Sequence, residues 1–199
     1  MNLWLLNFLS INPMKMPFKF VISPINNEQY VNKIKVGNSE LVINTSIEEA
    51  EDVQRVGEVI SCPFGYKGVI RPGDLVVVQH NVFRITFDDW GTPRQSTNHI
   101  KDNLFAVTSD IIYMVIRDGV KIASDDYIFV EAIIEEDFWL GKQELENVGI
   151  AKYVNKELER QGVFSGTKVA FGKSAKYIFE IFGEKLFLMR NKKILAIVN

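Results

Sequence analysis

The chain contains the same closing pattern twice, and this repeat limits the folds available to it more than any other feature. The run "LFAVTSDIIYMVI" begins at Leu104 and the run "LFLMRNKKILAIV" begins at Leu186, 82 residues further on. Most apolar positions of the two runs agree, whereas the polar positions differ. Packing fixes buried side chains and solvent leaves exposed ones free, so the pattern predicts two copies of one structural unit.

The repeat extends towards the N-terminus with changing spacing. Gly73 and Val76 of "RPGDLVVV" match Gly166 and Val169 of "FSGTKVAF", and Gly57 matches Gly149. The first strand-like runs, "FKFVISPI" and "DYIFVEAI", also match. The offset falls from 108 residues to 92 or 93 and then to 82. Because repeats keep core strands and vary loops, the second copy lacks about sixteen residues after its first strand, and the first copy carries about ten extra before its closing strands.

Short runs rich in Val, Ile and Phe, bounded by Gly, Pro, Asn or Asp, predict a mainly β chain. Only "SIEEAEDVQRV" and "KYVNKELERQG" have a helical composition, and each is equally compatible with an exposed loop. Short strands with frequent turns favour small barrels or sandwiches. We expect two tandem small β-barrels with little helix: an N-terminal extension over residues 1–17, a first domain over 18–118 and a second over 119–199.

The composition is that of an ordinary globular protein, with 47% hydrophobic and 24% charged residues. A net charge of -2 gives no overall attraction to nucleic acid or anionic membranes. The single cysteine, Cys62, excludes an internal disulfide and favours a reducing, cytoplasmic location. The apolar start "MNLWLLNFLSI" is too short to span a bilayer. We interpret it as an extension, with a short amphipathic anchor as the alternative and Met1, Met14 and Met16 as candidate start sites.

Residues that carry chemistry are few. A metal site assembled from His80, His99, Asp88, Asp89 and Cys62 matches no compact ligand spacing. The chain has no phosphate-binding loop, nucleophile elbow or zinc-protease motif. The insertion "DDWGTPRQSTNH" has the composition of a solvated loop. We therefore expect no catalytic residue, metal, cofactor or small-molecule substrate.

The order of these elements resembles that of GroES-like co-chaperonins: a first strand, a long polar loop with an aliphatic triplet, "GEV", "GDLVVV", and a closing pair of strands. The most specific likeness is "GEKLFLMRNKKILAIV", which is similar to the closing strands of that family. Two such domains in one chain are similar in layout to the chloroplast tandem co-chaperonins. The chain departs from the family in its short roof hairpin, "CPFGYKG", and in "GTK" where "GD" is usual.

The resemblance implies a function without catalysis: capping a GroEL-type chaperonin ring during ATP-dependent protein folding. It also implies that the loop over residues 26–54 is mobile and docks on the ring through Leu41, Val42 and Ile43, and the polar residues around this triplet predict a segment that is solvated and disordered by itself. Burying three such side chains contributes roughly 5–9 kcal/mol. Ordering ten loop residues costs about 1–2 kcal/mol each, so tight binding needs several loops in one ring. The alternative is that "ELVIN" is a buried strand of the domain.

Other functions remain open at this point. The same domains without chaperonin binding would make a structural or interaction protein, and a basic aromatic face would favour nucleic-acid binding. Phe138, Trp139 and Leu140 of the second copy are either a substitute hydrophobic hook or packing residues between the domains. The family forms rings, so we expect a ring-like homo-oligomer, with the unpaired edge of "ILAIV" as its contact.

Overall fold

The structure, a computed structural model, describes residues 14–31, 33–36, 39–42, 52–137 and 141–198 of the 199-residue chain. The chain is mainly β and divides into two compact units, residues 1–112 and 113–199. The division falls at the start of a strand, a few residues before the boundary expected from the repeat.

Unit 1 is built on one antiparallel sheet with the strand order β5-β4-β1-β9-β8. Two further hairpins, β2–β3 and β6–β7, form separate two-stranded sheets. Short 3-10 turns follow β1, β5 and β9. The strands are β1 (Phe20–Pro24), β2 (Lys33–Val36), β3 (Ser39–Val42), β4 (Val56–Ser61), β5 (Leu75–Val78), β6 (Thr86–Phe87), β7 (Pro93–Arg94), β8 (His99–Lys101) and β9 (Leu104–Val107).

Unit 2 contains an antiparallel hairpin, β10–β11, and a six-stranded sheet with the order β15-β16-β12-β13-β14-β17. A short α-helix, α1 (Lys156–Arg160), begins where the Asn155 side chain accepts a hydrogen bond from the Leu158 backbone N–H. The strands are β10 (Ile112–Arg117), β11 (Val120–Ala123), β12 (Tyr127–Asp137), β13 (Gly141–Tyr153), β14 (Lys168–Phe171), β15 (Tyr177–Ile181), β16 (Glu184–Arg190) and β17 (Ile194–Ile197).

The sheets of the two units share their strand order and their register. The order β5-β4-β1-β9-β8 in unit 1 corresponds to β14-β13-β12-β16-β15 in unit 2. Each first strand also has a register shift at the corresponding place, in β1 after Val21 and in β12 after Phe129. The central residue Ile22 pairs with Val59 and Phe105, and its counterpart Val130 pairs with Ala151 and Phe187. These pairs are the ones that the sequence repeat aligns.

The turn before the third strand of each sheet is also built in the same way. In unit 1 the Arg71 backbone N–H donates to the Asp74 carboxylate at 2.7 Å. In unit 2 the Phe164 N–H donates to the Thr167 hydroxyl at 3.0 Å. Threonine in "GTK" therefore forms the side-chain hydrogen bond that aspartate forms in "GD".

The cores of the two units use corresponding positions. Each core combines residues of the sheet with one residue of the 3-10 turn that follows the third strand, Val82 in unit 1 and Ala175 in unit 2. In unit 2 it consists of Ile128, Val130, Ala151, Leu158, Val163, Val169, Phe171, Ala175, Phe187 and Met189. The repeat aligns nine of these ten with fully buried residues of unit 1: Phe20, Ile22, Val59, Ile70, Val76, Val78, Val82, Phe105 and Val107.

One aromatic ring changes position between the two cores. Phe105 packs edge-to-face on Phe83 in unit 1, with ring centres 4.9 Å apart. The corresponding Phe187 in unit 2 packs on Phe171, at 6.0 Å. Phe171 lies in β14, whereas Phe83 follows the 3-10 turn after β5. The same space above the sheet is thus filled from two different places in the chain.

The mainly β fold class is confirmed, and the strand pairings described in each unit run in an open order. Closure of each sheet into a barrel stays a prediction. The segment "KYVNKELERQG" does contain a helix, α1. Of the other segment with a helical composition, residues 46–51 lie outside the described residues, and the remainder leads into β4.

A cluster of charges in unit 2 ties strand β11 to the sheet. The Glu184 carboxylate accepts hydrogen bonds from Lys121 of β11 at 2.5 Å and from the Tyr153 hydroxyl at 2.9 Å. The Lys152 ammonium lies 3.1 Å from its other oxygen. Lys121, followed by Tyr153 and Lys152, holds the pKa of Glu184 at about 2 instead of 4.5. The ionised form is therefore favoured in the folded state.

Glycine is required where the second strand of each sheet crosses the first. A Cβ atom on Gly57 would lie 2.9 Å from the Ser23 carbonyl oxygen, and one on Gly149 would lie 2.7 Å from the Glu131 carbonyl oxygen.

We expect Gly57→Ala and Gly149→Ala each to lower the free energy of unfolding by about 1–3 kcal/mol, because the backbone has no room to yield. Urea unfolding measures this. Gly172→Ala is the matched control, since nothing lies within 4 Å of its Cβ position; an equal loss there would contradict the explanation.

The Glu184 cluster predicts a defined acid response. A carboxyl group whose pKa is lowered on folding stabilises the protein above its unfolded pKa of about 4.5, and this stabilisation is lost as the pH falls towards 2. We expect Glu184→Gln to reduce stability at pH 7 and to narrow the difference between pH 7 and pH 3, measured by urea unfolding. Glu180→Gln, on the exposed side of β15, is the control. An unchanged pH dependence in Glu184→Gln would show that the cluster contributes nothing.

Candidate functional site

The candidate site is the segment inserted between β1 and β4, which contains the predicted triplet. It leaves β1 through a 3-10 turn at Ile25–Asn27, where Asn26 and Asn27 have φ angles of 57° and 58°. Asparagine tolerates this left-handed backbone better than most residues. The chain is thereby turned out of the sheet directly after Pro24.

The base of the insertion is held together by backbone and side-chain hydrogen bonds. The Val31 N–H donates to the Asp52 carbonyl at 2.8 Å, and the Gln54 N–H donates to the Gln29 carbonyl at 2.9 Å. The Tyr30 hydroxyl accepts from the Ile85 N–H at 2.8 Å. The base is therefore fixed to unit 1.

Beyond the base, β2 and β3 form an antiparallel hairpin whose described pairings are all between these two strands. Leu41 pairs with Ile34, and Val42 pairs with Lys33. The structure thus brings two of the three predicted docking residues onto one strand, and Ile43 lies outside the described residues. Strand β3 is not a strand of the domain sheet, which differs from the alternative of a buried barrel strand.

The hairpin also differs from the expectation of a loop without regular structure. The sequence carries a signal for it: "KIKV" and "SELV" are separated by two residues, Gly37-Asn38, a spacing typical of hairpins. Val36 pairs with Ser39 across this connection. The polar residues around these two runs favoured a loop, so the two-residue spacing did not lead to the prediction of a hairpin.

Unit 2 has its own hairpin at the corresponding place. Strands β12 and β13 continue past the sheet, from Ala132 paired with Gly149 to Asp137 paired with Gly141. Ile134, on this extension, is 56% exposed. Lys176 forms an ion pair with Glu144. The three residues between the strands, Phe138, Trp139 and Leu140, lie outside the described residues, so both predictions for them remain untested.

Two of the residues considered for a metal site bond to nearby backbone. Asp88 is bonded within a turn, and His99 Nε2 lies 2.8 Å from the Asp102 carbonyl oxygen. Burial raises the pKa of the Cys62 thiol, with Asp74 as the second cause. Burial lowers the pKa of His80, which also lies near Arg55 and Arg84. In the described ranges, His, Cys, Asp and Glu form no group of three or more that could hold a metal ion.

No helix within the part of the chain that the structure describes is long and apolar enough to cross a membrane. Comparisons with known proteins add no relative: no protein family, no curated protein and no solved structure matches this chain.

Proposed function

We propose that the chain is a tandem GroES-like co-chaperonin without catalytic activity, which caps a GroEL-type chaperonin ring. The observation that carries the proposal is the hairpin β2–β3, which forms a two-stranded sheet separate from the domain sheet and contains Leu41 and Val42 on one strand. A docking element of this kind can bind a partner without disturbing the core of its domain.

The duplication supports the same proposal. Two sheets with one strand order and one register are the arrangement expected of a repeated domain. A repeated domain gives a chain two equivalent bodies, as a tandem cap requires. In this proposal each sheet closes into a small barrel.

The hairpin makes docking less costly than the sequence suggested. Burying the three aliphatic side chains still contributes roughly 5–9 kcal/mol. The eight residues of β2 and β3 are already paired, so fewer residues lose about 1–2 kcal/mol each on binding. A single hairpin is still a small contact, and a ring that presents several at once gains affinity through effective concentration.

The same hairpin has regular structure, and this favours a second candidate function. An ordered β3 suits an interaction protein that keeps the duplicated sheets and uses the hairpin on a partner other than a chaperonin. The two candidates differ in their partner, so a binding experiment separates them.

The test is capture of purified GroEL-type chaperonin with and without nucleotide. We expect nucleotide-dependent capture by the wild type, and loss of most capture in the triple variant Leu41→Ser, Val42→Ser, Ile43→Ser, because its hairpin has no apolar anchor. Bound chaperonin is quantified on immobilised protein.

Two controls accompany the triple variant. Thermal unfolding establishes that it remains folded, and Leu195→Ser removes another exposed aliphatic residue, 72% exposed, away from the hairpin.

The triple variant Phe138→Ser, Trp139→Ser, Leu140→Ser shows whether unit 2 also docks. Absence of capture by a well-folded wild type would overturn the co-chaperonin proposal and favour the interaction protein.

A further inference from the structure

The insertion expected to be a solvated loop contains a tightly bonded hairpin, β6–β7. The Asp88 carboxylate organises its turn: one oxygen accepts from the Trp90 N–H at 3.1 Å and the Thr92 N–H at 2.9 Å. The other oxygen accepts from Arg94 Nε at 3.1 Å and Nη2 at 3.0 Å. The turn over residues 88–92 is thus stabilised by hydrogen bonds within the hairpin itself, all accepted by Asp88.

This turn presents Trp90 to solvent. The indole side chain is 85% exposed, and Gly91 supplies the left-handed backbone, with φ at 76°, that the turn needs. Tryptophan is among the residues that most often dominate binding at protein interfaces. A Trp on a turn that is already ordered loses little further entropy on binding, which is the condition for an anchor residue.

Unit 1 also carries a groove lined largely by aromatic residues. It has a volume of about 340 Å³ and is lined by Pro17, Phe18, Phe20, Pro63, Phe64, Gly65, Tyr66, Thr108 and Ser109. Phe18 and Phe64 are 86% and 65% exposed. Tyr66 packs edge-to-face on Phe20, with ring centres 4.8 Å apart, and this pair gives the groove a firm floor.

The charges beside the two features are opposite in sign. Lys15, Lys19 and Lys67 are exposed and flank the groove-lining residues in the chain, together with one exposed acid, Asp110, so positive charge is in excess beside the groove. Asp89, also exposed, precedes Trp90. An acidic aromatic tip and a basic aromatic groove are complementary, so the chain itself supplies a partner for each.

We propose that the Trp90 hairpin of one copy docks in this groove of a second copy. Each copy then provides one tip and one groove, so the contact is head-to-tail and extends to rings or filaments. A single tip buries far less than a standard interface, which makes the contact weak by itself. The proposal does not depend on chaperonin binding, and it concerns residues that the docking hairpin does not include.

The direct test follows Trp90 itself. In the full chain with Trp4→Phe and Trp139→Phe, Trp90 is the only tryptophan. We expect its emission to shift to shorter wavelength and its quenching by acrylamide to fall as the protein concentration rises from roughly 5 to 500 µM, the range of a small interface. Trp90 emission that stays that of exposed indole at every concentration would overturn the proposal.

Variants identify the two halves of the contact in otherwise unaltered chains. We expect Trp90→Ala and Phe64→Ala each to weaken self-association by about 30-fold in sedimentation velocity, the loss typical of a hot-spot residue. A mixture of these two variants should form dimers, because one retains the groove and the other the tip. Phe164→Ala, which removes an aromatic side chain 55% exposed in unit 2, is the matched control.

Charge reversal separates a second copy from nucleic acid as the occupant. We expect Asp89→Lys to weaken self-association, because it places a cation beside the lysines of the groove. A single-stranded oligothymidylate is the competing probe. Tight, salt-dependent binding of this probe that Phe64→Ala abolishes, with self-association unchanged in Trp90→Ala, would overturn the proposal in favour of a nucleic-acid groove.

Discussion

The rest of the architecture depends on the close approach of two backbones near the start of the second strand in each sheet. Gly57 and Gly149 lie at this crossing, and a Cβ atom on either would meet a carbonyl oxygen of the first strand at less than 3.0 Å. Only glycine allows the strands to come so close, and the contact fixes their register. Since a slip by one residue turns each side chain of a strand to the opposite face of the sheet, the crossing also determines which residues form the core.

The crossing lies next to the point where both inserted hairpins leave their sheets. Pro24 pairs with Gly57 and Ala132 pairs with Gly149, and these pairs are where β1 and the sheet portion of β12 end. A hairpin attached at this point starts from one of the most closely packed positions of its unit. Its length and sequence can therefore change without loss of the core.

Sequence patterns were sufficient for the repeat and for most of its apolar strands, such as β1, β5, β9, β12 and β16, because apolar runs and turn glycines report on burial and backbone shape; they did not predict β8, β11 or β13. They failed where side chains bond to the local backbone. The run "GDLVVVQHNVFRITF" looks like one long strand, yet β5 ends at Val78 and a 3-10 turn follows. Asp88 stabilises a hairpin in a stretch with no periodicity. Of the candidate site, the insertion between the first two strands of the sheet was predicted, but the hairpin that contains Leu41 and Val42 and the anchoring of Tyr30 were not. The replacement of Phe83 in unit 1 by Phe171 in unit 2 could not be predicted from the sequence either. Packing constrains the total volume of a core, and different positions of the chain can supply that volume.

The shared register has a consequence for how the chain reaches its native state. Backbone hydrogen bonds cannot distinguish β1 from β12 as the partner of a given second strand, so either unit can in principle accept a strand from the other during folding. Such exchange is a characteristic failure of chains with tandem domains. Side-chain volume is what distinguishes β1 from β12. Phe20 of β1 corresponds to the smaller Ile128 of β12, so β1 in the place of β12 would overfill the core of unit 2 by part of an aromatic ring. The difference in side-chain volume between the two cores thus favours the pairing of each duplicated strand within its own unit.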